Sequence, residues 1–233
     1  TVSGMQEAGT YTLYYEAVNG VCPISRDTIV INNYPIPVVD FTQSAIEICQ
    51  EECIQFTNLS SIHPDGTITN YYWVVGGMYS TQTNPNFCFS NAGLMDVQLV
   101  AESNNGCRDT TLRSDLITVN NIPVAGFTSF LVDDENTSTK MQIQDNSTYS
   151  TNYWYSFGDG DTSVIQNPTH LYTDSGFYDI TQIVTNDFGC ADTLTKTIFV
   201  HVLLVYVPNT FTPDGNGHNE KFFPVISGDD PDT

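Results

Sequence analysis

A repeat of about 84 residues constrains the fold of this chain more than any other feature of its sequence. Each copy contains a glycine, a strand-like segment, a turn with asparagine, a cysteine and then an Asp-Thr pair. The glycines are Gly9, Gly93 and Gly176, and the cysteines that follow them are Cys22, Cys107 and Cys190. A period of this length exceeds that of most solenoid repeats, and it suits a small β-sandwich domain.

The residue composition favours β-strands within each repeat. Tyr and Phe number 13 each, aromatic residues make up 12% of the chain, and Thr and Val recur throughout, all of which are enriched in strands. No stretch longer than about ten residues has the pattern of an amphipathic helix. We therefore predict an all-β chain built from tandem immunoglobulin-like β-sandwiches in a row.

Segments that contain proline separate the repeats, because proline blocks the continuation of a strand. We predict the last strands of a truncated module at 1–34, complete modules at 35–121 and 122–205, and the start of a different domain at 206–233. Since residues 1–34 fit only the end of a module, we expect the chain to be a piece of a longer protein.

The charge of the chain excludes several classes of partner. It has 6 Lys and Arg against 27 Asp and Glu, for a formal net charge of -21. Such a chain repels nucleic acid and anionic membrane surfaces, and no apolar run approaches the ~20 residues that span a bilayer. We predict no nucleic-acid partner and no membrane-spanning segment.

Alternation and turn residues define a strand path for the third module. We place strands A, B, C, E, F and G at 124–131, 140–145, 152–157, 169–172, 177–185 and 193–202. In strand C, Trp154 falls on the opposite face from Tyr153 and Tyr155, and we expect Trp154 to fill the core. We also expect a tyrosine corner, in which the hydroxyl of Tyr178 bonds back to the chain between strands E and F.

One part of the third module resembles a known family. It reads YWYSFGDG at 153–160, NPTHLY at 167–172 and GFY at 176–178. These motifs are similar to the W-x-F-G-D-G, N-P-x-H-x-Y and G-x-Y motifs of the PKD (polycystic kidney disease) domain, with the first motif one residue longer here, at Tyr155-Ser156-Phe157. The module at 35–121 resembles the family more weakly, since it has Trp73 but no Asp-Gly turn.

The end of the chain carries a second, more specific motif. The matching residues are Pro208, Asn209, Phe211, Thr212, Pro213, Asp214, Gly215, Asn216, Gly217, Asn219 and Phe222. They resemble the opening of the gliding-motility-associated C-terminal domain, the type B sorting signal of the type IX secretion system. The resemblance implies export across a Gram-negative outer membrane, with the type IX translocon and its outer-membrane shuttle protein as partners. The implied location is the cell surface or the medium.

Calcium is the one cofactor that the residues suggest. Asp214, Asn216 and Glu220 alternate with glycine in the manner of an oxygen-ligand loop, although the full Asp-x-Asp-x-Asp-Gly pattern is missing. The segment at 157–161 also combines Gly and Asp, but a tight turn explains these residues more simply than a calcium loop does.

The sequence also suggests sites for carbohydrate binding and for O-glycosylation. Tyr71, Tyr153 and Tyr155 are candidates for stacking on a surface polysaccharide, although exposed tyrosines are common on sandwich faces. The Asp-Thr pairs match the Asp-(Ser/Thr)-apolar O-glycosylation sequon known in bacteria with type IX secretion, with acceptors Thr28, Thr110 and Thr193. The alternative is that Asp-Thr simply starts strand G.

The six cysteines have no zinc-ligand spacing, so we predict disulfides in an oxidising compartment, with reduced core thiols as the alternative. Cys53 opens strand B and Cys88 lies on the neighbouring strand E, and we therefore predict a Cys53–Cys88 bond. If modules join head to tail, the A–B turn with Cys49 lies near the F–G hairpin with Cys190. We predict a Cys49–Cys190 bond across that joint, which would leave Cys22 and Cys107 to pair outside this segment.

The sequence shows no Ser/His/Asp or Cys/His nucleophile arrangement, so we predict no enzymatic activity in this chain. We predict a stalk or adhesin region of a large bacterial cell-surface protein. The alternatives are a spacer and sorting region of a secreted hydrolase, and an array of carbohydrate-binding modules.

Overall fold

The computed structural model describes residues 7–18, 20–132, 140–201, 204–206 and 225–227. Every regular element within these residues is a β-strand, which confirms the predicted all-β class. The chain forms two compact units, residues 1–121 and 122–233.

An antiparallel hairpin opens the first unit. It consists of β1 (Gly9–Ala17) and β2 (Ser25–Asn33), which pair without interruption from Gly9↔Asn33 to Ala17↔Ser25. The hydroxyl of Tyr11 donates a hydrogen bond to the carbonyl of Glu7 at 2.8 Å. This contact closes the start of the hairpin in the way that a tyrosine corner closes the start of strand F.

The rest of the first unit is a two-sheet sandwich. Its small sheet has the order β3 (Phe41–Gln43), β5 (Cys53–Asn58), β8 (Asn86–Cys88). Its large sheet has the order β4 (Glu47–Cys49), β10 (Arg108–Asn120), β9 (Gly93–Ser103), β6 (Ile68–Val75), β7 (Met78–Ser80). In the large sheet β4 runs parallel to β10, and the other neighbours are antiparallel.

Trp73 on β6 is the centre of the core between these two sheets. Its side chain is 1% exposed and packs against the rings of Phe41 and Phe56, with centroids 5.3 and 5.4 Å away. Its indole N–H donates to the carbonyl of Gln82 at 3.0 Å. Because a buried indole needs such a partner, this bond allows so large a residue to fill the core.

The second unit contains a sandwich of the same kind. One sheet has the order β11 (Phe127–Leu131), β12 (Lys140–Asp145), β15 (Thr169–Leu171). The other has the order β14 (Thr162–Ser163), β13 (Asn152–Ser156), β16 (Gly176–Thr185), β17 (Ala191–Val200). A separate pair, β18 (Leu204–Tyr206) and β19 (Val225–Ser227), follows in the chain.

The predicted strand path of this module is confirmed in outline. The predicted strand B has the bounds of β12, and strands C, E, F and G differ from β13, β15, β16 and β17 by one or two residues at an end. Strand A begins later than predicted, at Phe127, because only an isolated bridge joins Val124 to Thr148. The short strand β14 was not predicted, since it pairs only Ser156 with Thr162 and Tyr155 with Ser163.

The prediction that Trp154 fills the core is wrong. Trp154 is 37% exposed, whereas the neighbouring Tyr155 is fully buried. The hydroxyl of Tyr155 donates to the carbonyl of Gln166 at 3.0 Å, as the indole of Trp73 donates to Gln82 in the first unit. Tyr155 is therefore the structural equivalent of Trp73, and the motif that follows it has its usual length without an extra residue.

Candidate functional site

The turn that follows β13 places two carboxylates close together. Gly158 has a φ of 87°, and a Cβ at this position would lie 2.8 Å from the backbone nitrogen of Asp179. Only glycine fits both conditions. The N–H of Phe157 donates to the carbonyl of Asp161 at 3.0 Å, and the N–H of Asp161 donates to Oδ1 of Asp159 at 3.1 Å. These bonds fix the carboxylate of Asp159 at the tip of the turn.

His170 on β15 meets this turn from the opposite sheet. Its ring stacks on Phe157 with centroids 4.2 Å apart and an interplanar angle of 5°, and its edge contacts Tyr172 at 4.6 Å. Only 9% of its side chain is exposed. Nε2 of His170 lies 2.6 Å from Oδ2 of Asp159, a hydrogen bond that ties the two sheets together at this end.

Hydrogen bonding controls the charge state of Asp159. Burial alone would raise the pKa of its carboxyl, but the bonds from His170 and from the N–H of Asp161 outweigh burial and hold the pKa below its ordinary value. Burial raises the pKa of Tyr155 to about 12 and raises the pKa of Tyr172 as well. Asp159 is therefore ionised and the two core tyrosines are neutral at physiological pH.

A group of three side chains here has the composition of a metal site. The ligand atoms of Asp159, Asp161 and His170 lie within 4.8 Å of one another. Calcium takes six to eight oxygen ligands, whereas this group supplies two carboxylates and an imidazole nitrogen that already bonds Asp159. The geometry fits a structural pair that braces the turn, and no cofactor is established for the chain.

The free energy of unfolding at acidic pH tests the pair of Asp159 and His170. Since the folded-state pKa of Asp159 is lowered, its contribution to stability is present above the unfolded pKa and is lost as the pH falls through the folded value, below about pH 4. We expect the wild type to be more stable than Asp159→Asn at pH 7, with the difference shrinking below about pH 4. Urea titrations of both proteins between pH 2 and pH 7 measure this. A difference that is constant over the whole range would contradict the assignment.

The sequence indicated the turn at 157–161 but not the position of His170 against it. The segment at 157–161 is a tight turn, as we predicted in preference to a calcium loop. His170 was part of the N-P-x-H-x-Y motif, which gave a signal for it, but nothing in the linear sequence showed that its ring stacks on Phe157. The calcium candidates Asp214, Asn216 and Glu220, and all the residues assigned to the sorting signal, lie outside the described residues.

The three tyrosines proposed for sugar stacking do not present open faces. Tyr155 is fully buried, so that prediction is wrong for this residue. Tyr71 and Tyr153 are half-buried and pack against the cores of their units. The aromatic residues of these strands that face outward are Tyr72 and Trp154.

The proposed glycosylation acceptors occupy equivalent places on G-type strands. Thr28, Thr110 and Thr193 are all exposed on β2, β10 and β17. The backbone N–H of Thr28 and that of Thr193 each donate to the preceding aspartate at 2.8 Å. This geometry is compatible with both a sequon and a simple strand start, and glycosylation stays a prediction.

The disulfide within the first unit and the tyrosine corner in the second are both present. Cys53 and Cys88 pair directly across β5 and β8, with Cα atoms 3.9 Å apart and the two sulfurs bonded. The hydroxyl of Tyr178 donates to the carbonyl of Asp174 at 3.0 Å. The Cys49–Cys190 bond would join the two units, and it stays a prediction.

Together these features define two consecutive immunoglobulin-like β-sandwich modules, and the second carries a Gly-Asp turn after strand C. The family model for the PKD domain matches residues 34–119 and 120–202. The chain belongs to the PKD domain family. PKD domains are non-catalytic structural domains, and among the residues described here no helix is long and apolar enough to cross a membrane.

Two proteins with similar segments come from Vibrio species. The chain is 33% identical over 106 residues to the pre-pro-metalloprotease PrtV of Vibrio cholerae, a match that covers 46% of this chain and 11% of PrtV. The PKD1 domain of PrtV is 35% identical and covers 34% of this chain and 96% of its own, with a TM-score of 0.30. The PKD1 domain of Vibrio anguillarum Epp is 29% identical and covers 35% and 95%, with a TM-score of 0.31.

Proposed function

We propose that the chain is a non-catalytic stalk or adhesin region of a large bacterial surface protein that the type IX secretion system exports. The observation that carries the export route is the match of residues 208–222 to the opening of the type B sorting signal. The tandem PKD modules and the net charge of -21 support an extracellular, solvated region that spaces or presents other domains.

The internal construction of the modules supports a mechanical role. Each sandwich has its own aromatic core, centred on Trp73 in one and on Tyr155 in the other. The first is further held by the Cys53–Cys88 bond, which suits an oxidising exterior. A predicted Cys49–Cys190 bond across the joint would stiffen the row of modules.

Export is tested with a reporter fused to the part of the full-length protein that begins at residue 206. We expect the reporter outside the cell in a strain with the type IX translocon and inside the cell in a strain that lacks it. The matched control carries the same reporter on residues 35–205, which contain no sorting motif, and we expect it to stay inside. Equal export of the first fusion from both strains would contradict the proposed route.

A secreted hydrolase that uses these modules as spacers is the second candidate. The similarity to PrtV, whose name describes a metalloprotease, favours it. The full-length sequence separates the two candidates, because many further modules favour the adhesin and one catalytic domain favours the hydrolase.

A further inference from the structure

The outer face of the sheet β14-β13-β16-β17 is an unusual surface for so acidic a chain. Alternation along the strands directs Trp154, Ile183 and Thr193 away from the core in one cross-strand row. Ser156, Thr181 and Thr195 form the next row. Asp179 is the one charged residue that β13, β16 and β17 direct to this face.

The cationic residue of β17 points the other way. Lys196 pairs with the inward-facing Ile180, and its ammonium donates to the carbonyl of Phe127 and lies 4.9 Å from the centre of that ring. The outer face therefore offers no positive charge on its described strands. An anionic partner would meet Asp179 and the negative field of the whole chain without any compensating cation.

Trp154 is the one aromatic residue with a hydrogen-bond donor that the described strands β13, β16 and β17 direct to this face. Its side chain is 37% exposed, and its indole N–H makes no hydrogen bond to another residue that the structure describes. Tyr72 occupies the matching place in the first unit, but its hydroxyl bonds Glu102 at 3.1 Å and the guanidinium of Arg108 lies 5.6 Å from its ring centre. Tyr72 is therefore engaged within its own module, whereas the described residues make no such ring or hydrogen-bond contact with the side chain of Trp154.

Hydroxyl groups occupy the neighbouring rows of this face. Oγ1 of Thr181 and Oγ1 of Thr195 lie 2.9 Å apart, and the hydroxyl of Thr197 donates to Asp179 at 2.6 Å. A hydroxyl has one donor and two acceptor positions, so each threonine can make a further bond outward. Farther along the same face, Phe177 is 77% exposed and its ring contacts Phe199 at 4.9 Å. By the rise of a strand, Phe177 lies about 20 Å from Trp154.

We propose that this face binds a neutral polysaccharide, with Trp154 as the principal contact. A sugar ring has a C–H face that packs on the negative face of an indole, and its edge carries hydroxyls that pair with those of threonine. The second aromatic contact at Phe177 favours a polymer over a single sugar. Protein-binding hot spots contain few threonines, so the hydroxyl rows favour a carbohydrate over a protein partner.

The experiment is affinity gel electrophoresis of the full chain, expressed without glycosylation, in gels that contain laminarin, mixed-linkage β-glucan, xyloglucan or galactomannan. We expect at least one neutral polysaccharide to retard the chain, and Trp154→Ala to weaken that binding by about tenfold or more. Phe177→Ala should weaken it less. The matched control is Tyr72→Ala, which should bind as the wild type does. Tryptophan emission of the wild type should also shift on binding. The chain has two tryptophans and Trp73 is buried, so such a shift would report on Trp154.

Four results would overturn the proposal. They are no retardation by any of the four polysaccharides, retardation that Trp154→Ala leaves unchanged, retardation only by the anionic polymer alginate, and a Trp154-dependent dimer in light scattering without polysaccharide binding. The last result would assign the face to a second copy of the chain. This proposal names a ligand class for the adhesin role, and because it does not depend on the export route, the reporter experiment can fail or succeed independently.

Discussion

Replacing Tyr155 with alanine is expected to destabilise the second unit by about 3–5 kcal/mol, the range for removing a large aromatic side chain from a core. Tyr155 is fully buried and packs edge-on against Phe127, with ring centroids 6.3 Å apart. Its hydroxyl donates to the carbonyl of Gln166 and accepts from Nε2 of the buried Gln182 at 2.9 Å. The alanine variant loses the packing and both bonds.

The conservative variant separates these contributions. Tyr155→Phe keeps the ring but leaves the Gln166 carbonyl and part of the Gln182 amide without this partner, and we expect a loss of about 1–3 kcal/mol. The side-chain oxygen of Gln182 is already buried without a hydrogen-bond partner. This amide therefore has few other bonds to offset the loss of the Tyr155 hydroxyl.

Trp154→Ala is the matched control, since the residue is adjacent in sequence and larger but faces solvent. We expect it to cost less than about 1 kcal/mol. Urea titration of the full chain, followed by pulsed amide exchange on peptides from β13 and β16, measures the second unit separately. A loss for Trp154→Ala as large as that for Tyr155→Ala would contradict this orientation of strand β13.

Removing the Cys53–Cys88 bond is expected to destabilise the first unit by about 2–4 kcal/mol. The bond closes a loop with a sequence separation of 35 residues, and the chain-entropy estimate for a loop of this length lies at the upper end of that range. Because both cysteines are exposed and pair directly across β5 and β8, their replacement by alanine leaves no cavity in the core. The loss should therefore arise mainly from the greater freedom of the unfolded chain.

The double variant Cys53→Ala, Cys88→Ala is compared with Cys107→Ala, which removes a thiol that is free in the structure. Thermal unfolding followed by Trp73 fluorescence reports on the first unit, because Trp73 is at its centre. We expect a clear fall in the melting temperature for the double variant and almost none for Cys107→Ala. A double variant as stable as the wild type would mean that the unfolded chain is not restrained by this bond.

Several features of the chain could be predicted because they depend on local or repeated patterns. The repeat gave two sandwiches, since its glycines, cysteines and Asp-Thr pairs recur at one interval. Cys53 and Cys88 were paired correctly because strands B and E are neighbours in an immunoglobulin-type sheet. The bond from Tyr178 to Asp174 spans only four residues and was also predicted correctly.

The candidate site was only partly accessible from the sequence. The Gly-Asp composition of 157–161 was sufficient to predict a turn, because glycine provides the positive φ that Gly158 adopts. The bond between Asp159 and His170 joins the turn after β13 to strand β15 of the other sheet, and its geometry depends on the stacking of His170 on Phe157.

The sequence by itself determined that these modules are β-sandwiches and which residues of strand C share a face. Only the tertiary structure decided which face is inward. Alternation places Trp154 on the opposite face of strand C from Tyr153 and Tyr155. It does not show which face is buried, because both faces carry large aromatic side chains. The buried partners of Tyr155, among them Gln182 and Phe127, come from β16 and β11, and these long-range contacts leave Trp154 in solvent.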